Sequence, residues 1–361
     1  MALLFYDGFD TYNADQTDLN RAGYFKIGTM NYCGVDNLFG TRHGYGQVLK
    51  IANGSDTGYS TGYCMFPGFP MSTTVIIGFA IYIDTISSGY DPYRLFQFYG
   101  AGDVQCCAYL TQNLYLNFYN GSSSKGTLLG TTSVNFAKGR WYFWEIKIVV
   151  HDSTGSITMR SDGAEVLSAT SKDTKASTVY SGISAISMSI PAVYSSTVMY
   201  IDDWYVCDAT GGIHDDFLGD CMSLTRLVNG DTARADFTCS SGSDHYALVD
   251  ELTHDDETTY VESVTDGQYD ILEVEDLPAN TTEVLAVAVE TWCKLEEAGD
   301  TFVINMLNSG GTEFAAADGG LGVQTLYYPR RSMWEKDPKT DAAWVVANAD
   351  AIKIGYKIDV K

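Results

Sequence analysis

The sequence is short of basic residues, has no Cys-x-x-C pair, no long apolar run and almost no helical periodicity. Each shortage excludes a class of protein. Lysine and arginine total 22 against 46 aspartates and glutamates, a formal net charge of −24. That balance argues against a phosphate-binding surface, and nucleic acid is not expected as a partner. No stretch approaches the ~18 apolar residues of a spanning helix, so membrane insertion is not expected. The eight cysteines are scattered and lack zinc-finger spacing, so no metal is expected on them. Residues 2–6 are apolar but lack the basic flank of a secretory signal, and free thiols are the expectation. The five histidines each sit in a polar turn, and neither a Gly-x-Ser-x-Gly elbow nor a phosphate-cradling Gly-x-x-x-x-Gly-Lys accompanies them.

What is present points to sheets. Aromatic residues make up 13 % of the chain, with 25 tyrosines, and hydrophobic residues 45 %, enough for a large core. The stretch 139–168 is the most patterned. Tyr142, Trp144, Ile146, Ile148 and Val150 share one face at period two, opposite Trp141, Phe143, Glu145, Lys147 and Val149. A turn at 151–155 and an Asp162-Gly163 hairpin signal follow, which makes this region an antiparallel meander. Thr73–Asp84 is the strongest strand before it and its expected partner, and Tyr200–Cys207 is the closing strand. Residues 7–19 and 31–45 read as loops, and ten or more short strands up to residue 207 predict a sandwich or jelly roll.

The charge divides unevenly. Residues 1–213 carry 12 Lys+Arg and 17 Asp+Glu, whereas 214–361 carry 10 and 29. The Gly- and Asp-rich stretch 209–220 reads as a linker. Residues 221–361 read as a smaller acidic β-sandwich, with strands expected at 221–227, 245–248 and 282–295 and a short helix within 341–350.

Residues 70–207 resemble the concanavalin A-like (laminin-G-like) jelly roll. The resemblance rests on the strand at 73–84, the motif KGRWYFWEIKI at 138–148, the hairpin SITMRSDGAEVLSA at 156–169 and the closing YIDDWYVCD at 200–208. "IDDWYV" followed by "GGIHDDFLGD" further resembles bacteriophage virion proteins, as do DDETTYV at 255–261, LPANTTEVLAVAVETWCKL at 277–295, SGGTEF at 309–314 and WEKDPKTDAAW at 334–344. The resemblance implies an all-β chain, with a jelly roll over 1–208, a linker over 209–220 and a β-sandwich over 221–361. It implies a structural virion component, tail-associated or fibre, assembled in the host cytoplasm. Its partners would be sister subunits and other virion proteins, with host-surface polysaccharide bound by the jelly roll. A capsid-surface protein and a carbohydrate-active enzyme are the alternatives.

Candidate chemistry is sparse. Retaining glycosidases need two carboxyls about 5–5.5 Å apart, and related glucanases carry theirs at period two on one strand. Glu145 stands alone and is taken as a solvated or lysine-paired sheet residue, so no enzyme activity and no catalytic residue are expected. Sugar stacking would draw on the tyrosines, Tyr59, Tyr63, Tyr90, Tyr93, Tyr99, Tyr115 and Tyr119 among them. The one cofactor entertained is calcium. Jelly rolls of this type often hold it through loop carboxylates, and Asp7 and Asp10 could meet Asp202 and Asp203 where the terminal strands lie side by side. Asp202 and Asp203, being adjacent, are expected on opposite faces.

Overall fold

The computed structural model describes residues 2–13, 16–27, 33–36, 41–44, 46–52, 62–86, 92–190, 197–295, 301–317 and 321–360. It is almost entirely β and divides into two units, Met1–Leu224 and Thr225–Lys361. The all-β jelly-roll class expected from the strand pattern is the class observed.

The first unit is a sandwich of two antiparallel sheets. One has eight strands, in the order Ala164–Lys172, Gly155–Ser161, Trp141–Val149, Thr74–Thr85, Val198–Asp208, Val48–Ala52 and Cys33–Asp36, with Leu3–Asp7 also on Val198–Asp208. The other has seven, in the order Leu128–Thr131, Leu116–Asn120, Asp103–Leu110, Tyr93–Gly100, Ala185–Ile190, Gly62–Met65 and Phe25–Ile27. Asp162 and Gly163 both have positive φ, 49° and 78°, as a two-residue primed turn requires, and Ser161 pairs with Ala164 across it.

The face of 141–149 predicted as apolar does look inward. Trp144 and Phe79 are fully buried, and Phe79 reaches Phe96 of the opposite sheet at 5.3 Å between ring centroids. Trp204 stacks between Phe66 and Phe79, at 3.8 and 5.1 Å. Burying each such ring contributes roughly 1.5–3 kcal/mol. The meander's partner is corrected. Thr74–Thr85 lies beside Trp141–Val149 in the same sheet, while the facing layer comes from the seven-stranded sheet, the strands between 93 and 131 prominent in it.

Two regions expected as loops hold regular structure. Cys33–Asp36 forms an edge strand on Val48–Ala52, and Gln16–Arg21 forms a short helix. Both are too short for periodicity to reveal. The segment 209–220, expected as a linker, belongs to the first unit, because the division falls after Leu224.

In the second unit a six-stranded sheet runs Val228–Ala235, Tyr269–Val274, Lys353–Val360, Thr301–Ser309 and Thr312–Ala315, with Leu321–Gly322 on Thr301–Ser309. Leu307, Ile354 and Leu272 are register neighbours and share a face. The two-stranded ribbon Val287–Cys293 and Tyr328–Trp334 contributes Val289 to the core on that face, with Trp344, Ala349 and Ile352. A second cluster joins Val228, Leu272 and Tyr356 and also touches Ile354. The expected strand at 282–295 is observed as Val287–Cys293 and the expected helix as Val346–Asp350. Residues 221–227 are not strand, and Tyr246–Leu248 is a 3-10 turn. There the Asp231 carboxylate accepts the N–H groups of His245 and Tyr246, leaving them unavailable to a ladder.

Candidate functional site

The closing strand Val198–Asp208 changes partner half-way. Residues 198–201 pair with Val48–Ala52 and residues 204–207 pair with Leu3–Asp7 on the same edge. At the changeover the register against Thr74–Thr85 slips between Asp202 and Tyr205, and Asp203 takes φ 52°. A bulge of this kind re-aims side chains. It removes the alternation that would send the two aspartates to opposite faces. Asp203 donates its backbone N–H to Asp202 Oδ1 at 2.9 Å, and ligating atoms of His43, Asp202 and Asp203 lie within 4.8 Å of one another.

Asp10 completes this carboxylate group. Its Oδ1 accepts the Gln47 N–H at 2.8 Å, and a Cβ on Gly46 would overlap its carboxylate, so glycine there makes room for it. Burial, helped by the charges of Asp203 and Asp7, raises the Asp10 pKa to about 6. Burial and the charges of Asp203 and Asp10 push Asp202 up further. Asp203 is better compensated. Its Oδ2 accepts from Arg42 Nη1 at 2.9 Å and faces His43 Nε2 at 2.8 Å, while Oδ1 accepts the Ser223 N–H. Asp7 has a different role. Its carboxylate accepts from Phe9 N–H and from the hydroxyls of Tyr12 and Tyr24, at 2.8, 2.5 and 2.7 Å.

Asp10 Oδ2 and Asp202 Oδ2 accept no hydrogen bond from the described residues, and the side-chain oxygens of Gln47 and Thr11 are buried without a partner. Carboxylate, amide and hydroxyl oxygens are the donors calcium takes. Arg42 already supplies a positive charge to Asp203, so Asp10 and Asp202 are the carboxylates left for an ion.

Glu145 is not solvated. It is 1 % exposed, and its Oε1 accepts from the Tyr205 hydroxyl at 2.7 Å and from the Gly219 N–H at 2.8 Å. The segment after the closing strand lies over it: Asp216 pairs with Lys147, Phe217 sits under the Arg160 guanidinium, and Leu218 N–H donates to the Tyr205 hydroxyl. Gly78 leaves the space that the Tyr205 ring fills.

The outer face of the seven-stranded sheet is of another kind. Phe96, Phe98, Cys106, Ala108, Phe118, Ile186 and Met188 point to the core. The alternate positions therefore form the opposite face. Register places Tyr119, Cys107, Gln97 and Ser187 in one row across it, and Asn117, Tyr109 and Arg94 in the next. Ser189 pairs with Tyr63 at the far side. Gln97, Ser187 and Ser189 are buried, while Tyr63, Tyr99, Tyr109 and Tyr119 are half-buried, so rings rise from a polar floor. The Tyr99 hydroxyl donates to Gln97 Oε1 at 2.9 Å, Ser187 Oγ donates to the Tyr99 hydroxyl at 3.4 Å, and Asn117 Nδ2 donates to the Tyr119 hydroxyl at 3.4 Å. Burial, with Tyr99 close by, raises the Tyr63 pKa to about 12, so at neutral pH its hydroxyl keeps its proton and can donate it in a hydrogen bond.

Of the tyrosines named from the sequence, Tyr63, Tyr99 and Tyr119 stand on this face. Tyr93 is in the core, Tyr115 precedes the strand Leu116–Asn120, and Tyr59 and Tyr90 lie outside the described residues. Sequence reading missed Tyr109, Asn117, Gln97 and Arg94. The alternation in RLFQFYG was the available signal, but a bulge between Arg94 and Phe96 breaks its parity.

No family model and no curated protein matches the chain. Solved structures do. An alginate lyase, Aly36B, in complex with alginate trisaccharide is similar at 11 % identity and TM-score 0.41, over 57 % of this chain and 98 % of that one. An endo-1,3-β-glucanase from Streptomyces sioyaensis is similar at 12 % identity and TM-score 0.42, over 57 % and 95 %. The lectin UEA-II complexed with galactose is similar at 12 % identity and TM-score 0.37, over 56 % and 98 %. The expectation of a chain without enzyme activity is corrected by these: a lyase and a glucanase are among the structures it is similar to.

Proposed function

We propose that this protein binds or processes carbohydrate, with a saccharide chain laid along the outer face of the seven-stranded sheet. The observation that carries this is the set of half-buried tyrosines over a hydrogen-bonding floor of Gln97, Ser187 and Ser189. Sugars offer apolar C–H faces to aromatic rings and hydroxyls to polar groups, and the face supplies both. From Tyr119 to Tyr63 it spans five strands, and four spacings at about 4.8 Å give a breadth of roughly 19 Å, room for a short oligosaccharide. The test is a panel of polysaccharides incubated with the full chain, followed by binding isotherms and by release of reducing or unsaturated sugar ends. Retention or cleavage of at least one polysaccharide is expected, and neither across the panel would refute the proposal. The virion setting, with its partners and location, rests on the motif resemblance alone.

A second reading concerns the carboxylate group at Asp10 and Asp202. The buried, unpartnered oxygens of Gln47 and Thr11 favour a bound calcium ion there. It would tie the closing strand to the N-terminal loop, a structural role. Calcium-dependent thermal stability tests it.

A further inference from the structure

Six strands of the seven-stranded sheet, Gly62–Met65, Tyr93–Gly100, Asp103–Leu110, Leu116–Asn120, Leu128–Thr131 and Ala185–Ile190, contain two charged residues between them, Arg94 and Asp103. Asp103 is at the tip of its hairpin, paired with Gly100, and its Oδ2 accepts from Ser177 Oγ at 2.8 Å. Arg94 is on the central strand of the sheet, opposite Tyr109, with the strands of Tyr119 and Tyr63 to either side. Three of the other four arginines of the first unit are paired, Arg21 with Asp18, Arg42 with Asp203 and Arg140 with Asp162, and the fourth, Arg160, lies over the Phe217 ring. Arg94 has no acidic partner among the described residues, and its Nε is buried without an acceptor. The neighbouring Cys107 offers no anion, since burial pushes its thiol up to about 12.

A guanidinium Nε–H buried without an acceptor is costly unless something else supplies one. Its planar fork matches a carboxylate. The rest of the face is neutral and suited to sugar. We infer that the saccharide bound here is acidic, a uronate-containing chain whose carboxylate sits on Arg94. This rests on the carbohydrate proposal above and specifies its substrate class. The acidity of the chain does not oppose it, because most of the net charge lies beyond residue 213.

The test compares uronate tetrasaccharides, sulfated tetrasaccharides and neutral gluco- and xylo-tetrasaccharides by calorimetry, on the full chain and on R94Q, R94K and Y99A. The uronate ligand is expected to bind about tenfold or more tighter than the neutral ones, and less tightly as salt is raised. R94Q should remove that preference and its salt dependence, weakening the uronate ligand far more than the neutral ones, with the melting temperature unchanged. R94K should keep part of the preference, and Y99A should weaken acidic and neutral ligands alike. Equal binding of neutral and uronate ligands, unaltered by R94Q, overturns the inference but leaves the saccharide face standing. A preference for sulfate over uronate overturns the assigned class. An equal loss of all ligands in R94Q with a lowered melting temperature marks Arg94 as structural and also overturns it. No binding of any ligand, with Y99A indistinguishable from the parent, removes the face itself and the inference with it.

Discussion

Asp203 donates its backbone N–H to the carboxylate of Asp202, its immediate neighbour, at 2.9 Å. Adjacent residues of a regular strand point to opposite faces; here the left-handed backbone of Asp203, φ 52°, turns the pair together. The same bulge lets one strand serve two edge partners, Val48–Ala52 and Leu3–Asp7. A carboxylate group thus collects where the chain closes the jelly roll.

Asp202→Asn keeps the oxygen that accepts from Asp203 and replaces a carboxyl that burial holds protonated at neutral pH with a group that never ionises. Without divalent ions it should be more stable than the parent at pH 7, by about 1 kcal/mol or more, because the parent must take up a proton on folding to keep this carboxyl neutral against burial and the charges of Asp203 and Asp10. Calcium should raise the melting temperature of the parent and not that of Asp202→Asn. Calorimetric scans with calcium and with chelator check both; equal calcium responses would remove the ion from this position.

The stretch after the closing strand is needed by the first unit. A fragment ending at Leu224 should unfold cooperatively, and one ending at Asp208 should be less stable, since it exposes Tyr205 and loses the Gly219 N–H from Glu145. Glu145→Ala should cost about 1–3 kcal/mol by leaving the Tyr205 hydroxyl and Gly219 N–H without their acceptor. Saccharide binding should persist, because Glu145 and the tyrosine face are on different sheets. Denaturant titration of each variant gives the comparison.

The second unit has its own acid limit. Burial acts to raise the Asp337 pKa, but hydrogen bonds from Ser309 Oγ, Lys339 N–H and Asn348 Nδ2 win and hold it below the ordinary 3.8. A carboxylate with a depressed folded-state pKa stabilises fully above its unfolded value, and that contribution is lost as pH falls through the folded one. The second unit of the parent should therefore weaken below about pH 4. Asp337→Asn should be weaker at neutral pH and show a shallower acid limb. Unfolding followed from pH 2 to 7 distinguishes them.

Much of the scaffold was legible in the chain. Period-two alternation in 141–150 correctly assigned the core face, and Asp162-Gly163 located its hairpin, because both signals are local. The proximity of Asp10 to Asp202 and Asp203 followed from adjacency of the terminal strands. What escaped was non-local or irregular. The bulge at Asp203 has no mark in "IDDWYV", since aspartate tolerates a left-handed backbone without requiring it. Residues 209–220 look like a linker by composition, yet Glu145 and Lys147 hold them down through Gly219 and Asp216, 74 and 69 residues distant in sequence. The tyrosine face needed the strand pairings, because rings from four strands converge only once register is known.

The claim that a saccharide lies along the outer face of the seven-stranded sheet is tested most directly by Tyr99→Ala combined with Tyr119→Ala, in a binding titration with whichever oligosaccharide the parent retains. The two rings stand on different strands of that face, and stacking losses of about 0.5–1.5 kcal/mol each should weaken binding roughly fivefold to a hundredfold or more. Melting temperature should change little. Undiminished affinity in the folded double variant would contradict the account.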